Sequence, residues 1–192
     1  MNVLICGVGG QGVLLFSELL SGTALAAGLD VKKSEVHGMA QRGGSVNTHV
    51  RFGTKVYSPL IEEGTADLVV AFEKLETARY LHFLSPKGKL LYDAYRHEPL
   101  PVQLGLVERS ADEDLDSRIA GRAENRVLVP AFETARKLGN PRVQNVVMLG
   151  AASRLLEFPA DVYREQIRDK VKAKFVDLNL EAFDRGAGLV LA

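Results

Sequence analysis

The sequence predicts a three-layer α/β/α fold built on a mostly parallel but mixed sheet, and three observations predict it. Over residues 1 to about 130, short apolar runs alternate with longer segments of helical period, the pattern of strands joined by crossover helices. Leu68-Val69-Val70-Ala71-Phe72 is nearly continuous in apolar character, as expected of a strand covered on both faces. Residues 45–52 alternate strictly, with Val46, Thr48, Val50 and Phe52 on one side and Asn47, His49 and Arg51 on the other. Gly53-Thr54 then reads as a two-residue turn and 55–58 as a return strand, a β-hairpin after the second strand that makes the sheet mixed.

The elements follow in order. Residues 2–6 read as a buried strand and Gly7 to Gly12 as a glycine-rich turn, a Rossmann-like start. Residues 13–27 read as a helix with Val13, Phe16, Leu20, Ala24 and Ala27 on one face, closed by Gly28. A second strand at 31–36 leads into a glycine-rich loop, His37 to Gly44. Residues 73–84 look helical and are closed by Ser85-Pro86; 89–92 and 126–129 look like strands, and 130–138 like a helix. From residue 145 the chain reads as a helical C-terminal segment, with helices at 145–156, 159–170 and 178–185 expected to pack across one face or edge of the sheet. The stretch 96–125 is the least regular. Its acidic cluster Asp112, Glu113, Asp114 and Asp116 reads as a solvated loop or a helix start.

Composition narrows the function classes. The chain has 192 residues, which predicts one domain over 1–192. Its 24 Lys plus Arg balance 24 Asp plus Glu, without the basic excess of a nucleic-acid binder, so no nucleic-acid partner is expected. No apolar run approaches the ~20 residues that span a bilayer, and no basic flank precedes Val3-Leu4-Ile5 as in a signal peptide. A cytoplasmic protein without a membrane partner is the expectation. One cysteine, Cys6, allows no internal disulfide, no paired-cysteine zinc site and no self-contained iron–sulfur cluster, and its place in a strand reads as core packing.

Two loops carry recognition chemistry. Gly7-Val8-Gly9-Gly10-Gln11-Gly12 fits G-x-G-x-x-G directly after a strand and before a helix, where small residues and free N–H groups favour an anion. The same glycines would also serve a tight turn and close helix–strand packing alone. The dinucleotide reading is incomplete, because Lys32 and Lys33 stand where an acidic ribose ligand belongs and the second strand leads into a hairpin. A phosphate-binding P-loop is excluded by the missing Gly-Lys-Ser/Thr. The second loop, His37-Gly38-Met39-Ala40-Gln41-Arg42-Gly43-Gly44-Ser45, should face the same crevice, since loops at the carboxyl ends of parallel strands share one edge. Arg42 could grip a phosphate or carboxylate, or tie the loop to a carboxylate or a partner subunit. His37 is the one histidine expected near the crevice, as a hydrogen-bonding residue and not a metal ligand; His49 falls on the polar strand face and His82 and His97 on the surface. No G-x-S-x-G, H-E-x-x-H or Ser/His/Asp order is present, so no catalytic residue and no metal site is expected.

These motifs resemble a known family. Gly7 to Val13, then Ser34-Glu35-Val36-His37-Gly38-Met39-Ala40-Gln41-Arg42-Gly43-Gly44-Ser45-Val46 and His49-Val50-Arg51-Phe52-Gly53, are similar to the gamma domain of 2-oxoacid:ferredoxin oxidoreductases, in the wording of its indolepyruvate branch. Val56 to Ile61, Leu75-Glu76 with Arg79-Tyr80-Leu81, and Asn145 to Ala151 extend the likeness over nearly the whole chain. One departure is Lys74, where that family is expected to carry proline. The resemblance implies a small subunit beside a large one that carries thiamine diphosphate, magnesium and [4Fe–4S] clusters. The complex would decarboxylate an arylpyruvate, pass electrons to ferredoxin and form an acyl-coenzyme A. The small subunit would be inactive alone and would contribute coenzyme A binding and assembly. On this reading Gly7, Gly9, Gly10, Gln11, Gly12, His37, Gln41, Arg42, Gly43, Gly44 and Ser45 line the ligand site. The competing readings are a stand-alone nicotinamide- or flavin-dependent reductase and a scaffold subunit without a ligand.

Overall fold

The computed structural model describes residues 1–37 and 43–190. Among them are six strands in one sheet, β1 (Asn2–Val8), β2 (Asp30–His37), β3 (Ser45–Gly53), β4 (Ala66–Ala71), β5 (Leu84–Tyr92) and β6 (Arg126–Leu128), in the order β2-β3-β1-β4-β5-β6. β1, β4, β5 and β6 are parallel, while β3 is antiparallel to both β1 and β2. The α-helices are α1 (Val13–Ala26), α2 (Lys74–Tyr80), α3 (Leu100–Gln103), α4 (Asp112–Arg122), α5 (Ala131–Lys137), α6 (Gln144–Ser153), α7 (Ala160–Lys170) and α8 (Val176–Gly188).

Strand pleating sorts the side chains into two cores. Val3 and Ile5 face the larger one with Val46, Val50, Val70, α1, α6, α7 and α8; Leu4 and Cys6 face the smaller one with Val69, Ala71, α2 and α4. Helices therefore cover both faces, and the mixed α/β architecture with its helical tail on one face is as the sequence predicts. α6 and α8 approach so closely that a Cβ on Gly150 would overlap the Phe183 carbonyl and one on Gly186 the Val147 carbonyl. Ala27 lies outside the buried helix face, as the exposed residue capping α1.

The hairpin differs from expectation. Residues 55–58 form no strand; β3 lies between β1 and β2, antiparallel to both, and residues 38–44 link it to β2. A distant side chain accounts for the missing strand: the Val56 N–H donates to Asp30 Oδ2 (3.0 Å), taking the bond a ladder would need, and Lys55, Tyr57 and Ser58 are exposed. The second helix is also shorter than read. α2 stops at Tyr80, Leu81–Phe83 form a 3₁₀ turn, and β5 starts at Leu84, taking Ser85-Pro86 into a stretch where its register with β4 shifts. The acidic cluster opens α4, with Asp112, Glu113 and Asp114 in the first turn, where carboxylates suit the helix dipole.

Candidate functional site

The carboxyl ends of β1, β4 and β5 meet on one sheet edge. Helix α1 follows β1 on one face and α2 follows β4 on the other, so the crevice between these two strand tips is the point where the chain changes faces. Such a switch point is where open α/β sheets place ligands.

Gly9 and Gly10 form the turn above β1, and Gly12, at φ 81°, caps α1. The glycine positions serve different ends. A Cβ on Gly7 would stand 2.8 Å from Gln11 Oε1, and one on Gly12 2.6 Å from the Asn145 amide, so both are required by packing. Gly10 faces open space. Gln11 is built into the scaffold: its Oε1 accepts from Val8 N (2.7 Å), and its Nε2 donates to Phe72 O (3.1 Å) and Gln144 Oε1 (3.4 Å).

The two loops are joined backbone to backbone. Gly9 N donates to Gly44 O (2.8 Å) and Gly43 N donates to Gly9 O (3.2 Å), which continues the β1–β3 ladder past its last strand residues. Gly9, Gly10, Gly43 and Gly44 are thus brought together on one rim. The Ser45 hydroxyl turns to the α2 side, where it donates to the Glu76 carboxylate and lies 3.1 Å from Tyr80 Oη. His37 closes β2, its backbone paired with Val46. Gln41 and Arg42 lie outside the described residues.

Two clefts flank the turn and share Val8, Gly9 and Gly10. The larger, about 470 Å³, is walled by Val13, Leu14 and Val46. The smaller, about 210 Å³, is walled by Tyr95, His97, Phe132, Pro141 and Arg142, with Gln11 and Gln144 beneath. His97 therefore stands at the crevice, contrary to its reading as a surface residue. The loop after β5 opens on the same edge as the loop after β1, and applying the strand-end rule to β5 would have found it.

No carboxylate lines either cleft among the described residues; the nearby acids are turned inward. Asp93 accepts from Tyr95 N (3.0 Å), Phe132 N (2.6 Å) and Gln144 Nε2 (3.1 Å). Glu73 accepts from Glu76 N (2.8 Å) and His97 N (3.1 Å). Burial raises the pKa of Asp93, Glu73 and Glu76, outweighing the hydrogen bonds that oppose it. His49 is buried, not on a solvated face: Nδ1 accepts from Ile61 N (3.1 Å), and burial lowers its pKa. Cys6 is fully buried and its thiol pKa is pushed well up, chiefly by that burial, which suits a core residue and not a nucleophile. No cluster of three or more potential metal ligands occurs among the described residues, and no helix there is long and apolar enough to cross a membrane.

The family model for pyruvate ferredoxin/flavodoxin oxidoreductase matches residues 2–189. The chain belongs to this family. It is 39% identical over 188 residues to the indolepyruvate oxidoreductase subunit IorB of Pyrococcus horikoshii, covering 96% of this chain and 93% of that one. The fold is that of a keto/oxoacid ferredoxin oxidoreductase gamma subunit from Geobacter sulfurreducens, with a TM-score of 0.72, 22% identity, and 98% and 96% of the two chains covered. It also matches a 2-oxoglutarate:ferredoxin oxidoreductase from Magnetococcus marinus, solved with 2-oxoglutarate, coenzyme A and succinyl-CoA bound. There the TM-score is 0.76 at 24% identity, over 98% of this chain and 30% of that one. The motif-based resemblance is borne out: the relatives are subunits of 2-oxoacid:ferredoxin oxidoreductases.

Proposed function

We propose that the whole chain, 1–192, is one gamma-type domain and the small subunit of an indolepyruvate (arylpyruvate):ferredoxin oxidoreductase, contributing coenzyme A binding and assembly in the cytoplasm. The observation that carries this reading is the Gly9 clasp on Gly43 and Gly44, which fuses both motif loops into one rim beside the start of α1. Helix N-termini and open glycine backbone favour phosphates, and inward-turned carboxylates leave the rim free of repelling charge. Arg42, Gln41 and His37 would complete the site from the second loop.

The redox groups do not fit this chain. A [4Fe–4S] cluster takes four thiolates, and the single cysteine is buried in the smaller core. The chain also lacks a Gly-Asp-Gly diphosphate–metal motif. On the reading proposed, thiamine diphosphate, magnesium and the clusters belong to a large partner subunit, which would hand electrons to ferredoxin. A stand-alone nicotinamide or flavin reductase is supported less, since β3 returns antiparallel beside β1 where a dinucleotide domain continues in parallel.

Anaerobic purification of the tagged full chain from its native extract should bring down a large protein with the visible absorbance of iron–sulfur clusters. Titration of coenzyme A into that complex should then show weaker binding for an Arg42→Ala, Gly12→Val double variant. Recovery of the chain alone, or unchanged affinity in the variant, would refute the corresponding half of the proposal.

A further inference from the structure

The two edges of the sheet are unlike. β6 closes one with three residues, a short edge that offers little to an arriving strand. β2 closes the other with eight, Asp30 to His37, paired with β3 in unbroken register and without proline. Among the described residues no strand pairs with its outer side. The direction of its free backbone groups follows from β3. Phe52 exchanges both backbone bonds with Met1 (2.9 and 3.0 Å), so even-numbered residues of β3 bond toward β1 and odd-numbered ones toward β2. Gly53, Arg51, His49 and Asn47 therefore bond Asp30, Lys32, Ser34 and Val36. The N–H and C=O groups of Val31, Lys33, Glu35 and His37 point outward, a ladder with one side open.

Lysines on an edge commonly guard it by repelling a second strand. Here both are neutralised from within: Lys33 Nζ lies 2.7 Å from Glu35 Oε1, and Lys32 Nζ 3.1 Å from Asp30 Oδ1. The run Lys33-Ser34-Glu35 is also its own electrostatic complement when read in reverse. We infer that β2 is a pairing edge for a second copy of this chain, antiparallel about a twofold axis at Ser34. In that register Lys33 faces Glu35 of the second copy and Glu35 faces its Lys33, so every charge in the square has opposite neighbours. An axis at residue 33 or 35 would set Lys33 against Lys33 or Glu35 against Glu35, so charge selects the register. The open backbone groups agree, because odd-numbered residues meet odd-numbered residues. On the other face of the edge, the exposed Val36 meets the aliphatic stem of Lys32. The two six-stranded sheets become one. Their glycine rims then point to opposite ends, and neither copy obstructs the crevice of the other.

Cysteine trapping and sedimentation equilibrium of the purified full chain test the pairing. Ser34 would sit on the axis in a non-hydrogen-bonded pair, where Cα atoms ~4.5 Å apart admit a disulfide. Ser34→Cys should therefore form a covalent dimer under mild oxidation, while Lys32→Cys, set opposite Val36, should not. Cys6 is fully buried and stays out of the reaction. Lys33→Glu and Glu35→Lys should each weaken dimerisation about ten- to thirtyfold, since the twofold axis places the repulsion at two positions. The double exchange should restore it. The Ser34→Cys link should also form in the complex purified from native extract. A monomer at every concentration, a dimer indifferent to both reversals, or a Ser34→Cys chain that fails to link to its own copy would overturn the pairing.

Discussion

Gly12 shows how tightly single residues are constrained at the rim. Its φ of 81° lies in the left-handed region, which costs an L residue about 1–2 kcal/mol, and an added Cβ would press on Asn145, whose amide also donates to Gly12 O (3.4 Å). Gly12→Ala should therefore lower unfolding stability by about 2–3 kcal/mol, and Gly10→Ala, with positive φ but open space, by about 1 kcal/mol. Urea unfolding decides between them; equal losses would mean that Asn145 simply moves aside. Glu76 gives a pH test. Burial raises its pKa above the ordinary 4.5, although the Ser45 hydroxyl and Arg79 favour the anion. The folded chain then holds a proton that the unfolded chain has released, so this residue makes stability fall as pH climbs from about 4.5 through the raised value. Gln can still accept from Ser45 and cannot ionise. Glu76→Gln should gain on the unaltered protein as pH rises across that window, whereas a difference independent of pH from 4 to 7 would show that ionisation is not what matters.

Among the elements, α2 carries the departure that the resemblance implies. Lys74 occupies the first helical position, just after Glu73 caps the helix by accepting from Glu76 N. Proline is favoured at that position, which fits the residue expected from the resemblance. Lysine adds two things: its N–H donates to Tyr95 O (2.9 Å), and its ammonium reaches Asp116 (2.8 Å) and Asp112 (3.4 Å) on α4. Lys74→Met should cost about 1 kcal/mol, since both aspartates are partly solvated, and Lys74→Pro about 2 kcal/mol, since the Tyr95 bond goes too. Matched unfolding curves check the order, and Lys74→Pro equal to Lys74→Met would remove any role for the Tyr95 bond. At this scale the sequence was readable where pattern and packing agree: β1, β4 and α1 follow directly from their apolar periodicity. The return strand at 55–58 was misread because Gly53-Thr54 mimics a hairpin turn, while Asp30, remote in sequence, takes the Val56 N–H. Nothing local to residue 56 announces that bond.

Across the whole molecule, the sheet order places both motif loops on one edge, as the strand-end rule anticipates, but it also brings in Tyr95, His97, Phe132 and Arg142. Those four come from three segments, Tyr95 and His97 from the loop after β5, Phe132 from the start of α5 and Arg142 from the 3₁₀ turn at Pro141–Val143, and only the order β1-β4-β5 gathers them. Stability should be distributed just as unevenly. Val3, Leu4, Ile5 and Cys6 of β1 are fully buried between two cores, whereas Leu100, Leu104, Leu106 and Val107 remain exposed on the excursion after β5. Hydrogen exchange followed by mass spectrometry should find peptides from 98–108 labelled first and those from β1 last, and early labelling of β1 would contradict a sheet centred on it.

The clasp between Gly9 and the pair Gly43-Gly44 has a consequence for how such chains can diverge. Gly9 N keeps the β1–β3 register with Gly44 while its carbonyl takes Gly43 N, one residue further on; with two residues already set against one, another in either segment would throw the adjoining strand out of phase and flip its side chains to the wrong face. Length changes in descendants of this chain should accordingly accumulate after β5, where the excursion ends in solvent, and be purged from the two glycine segments unless both change together.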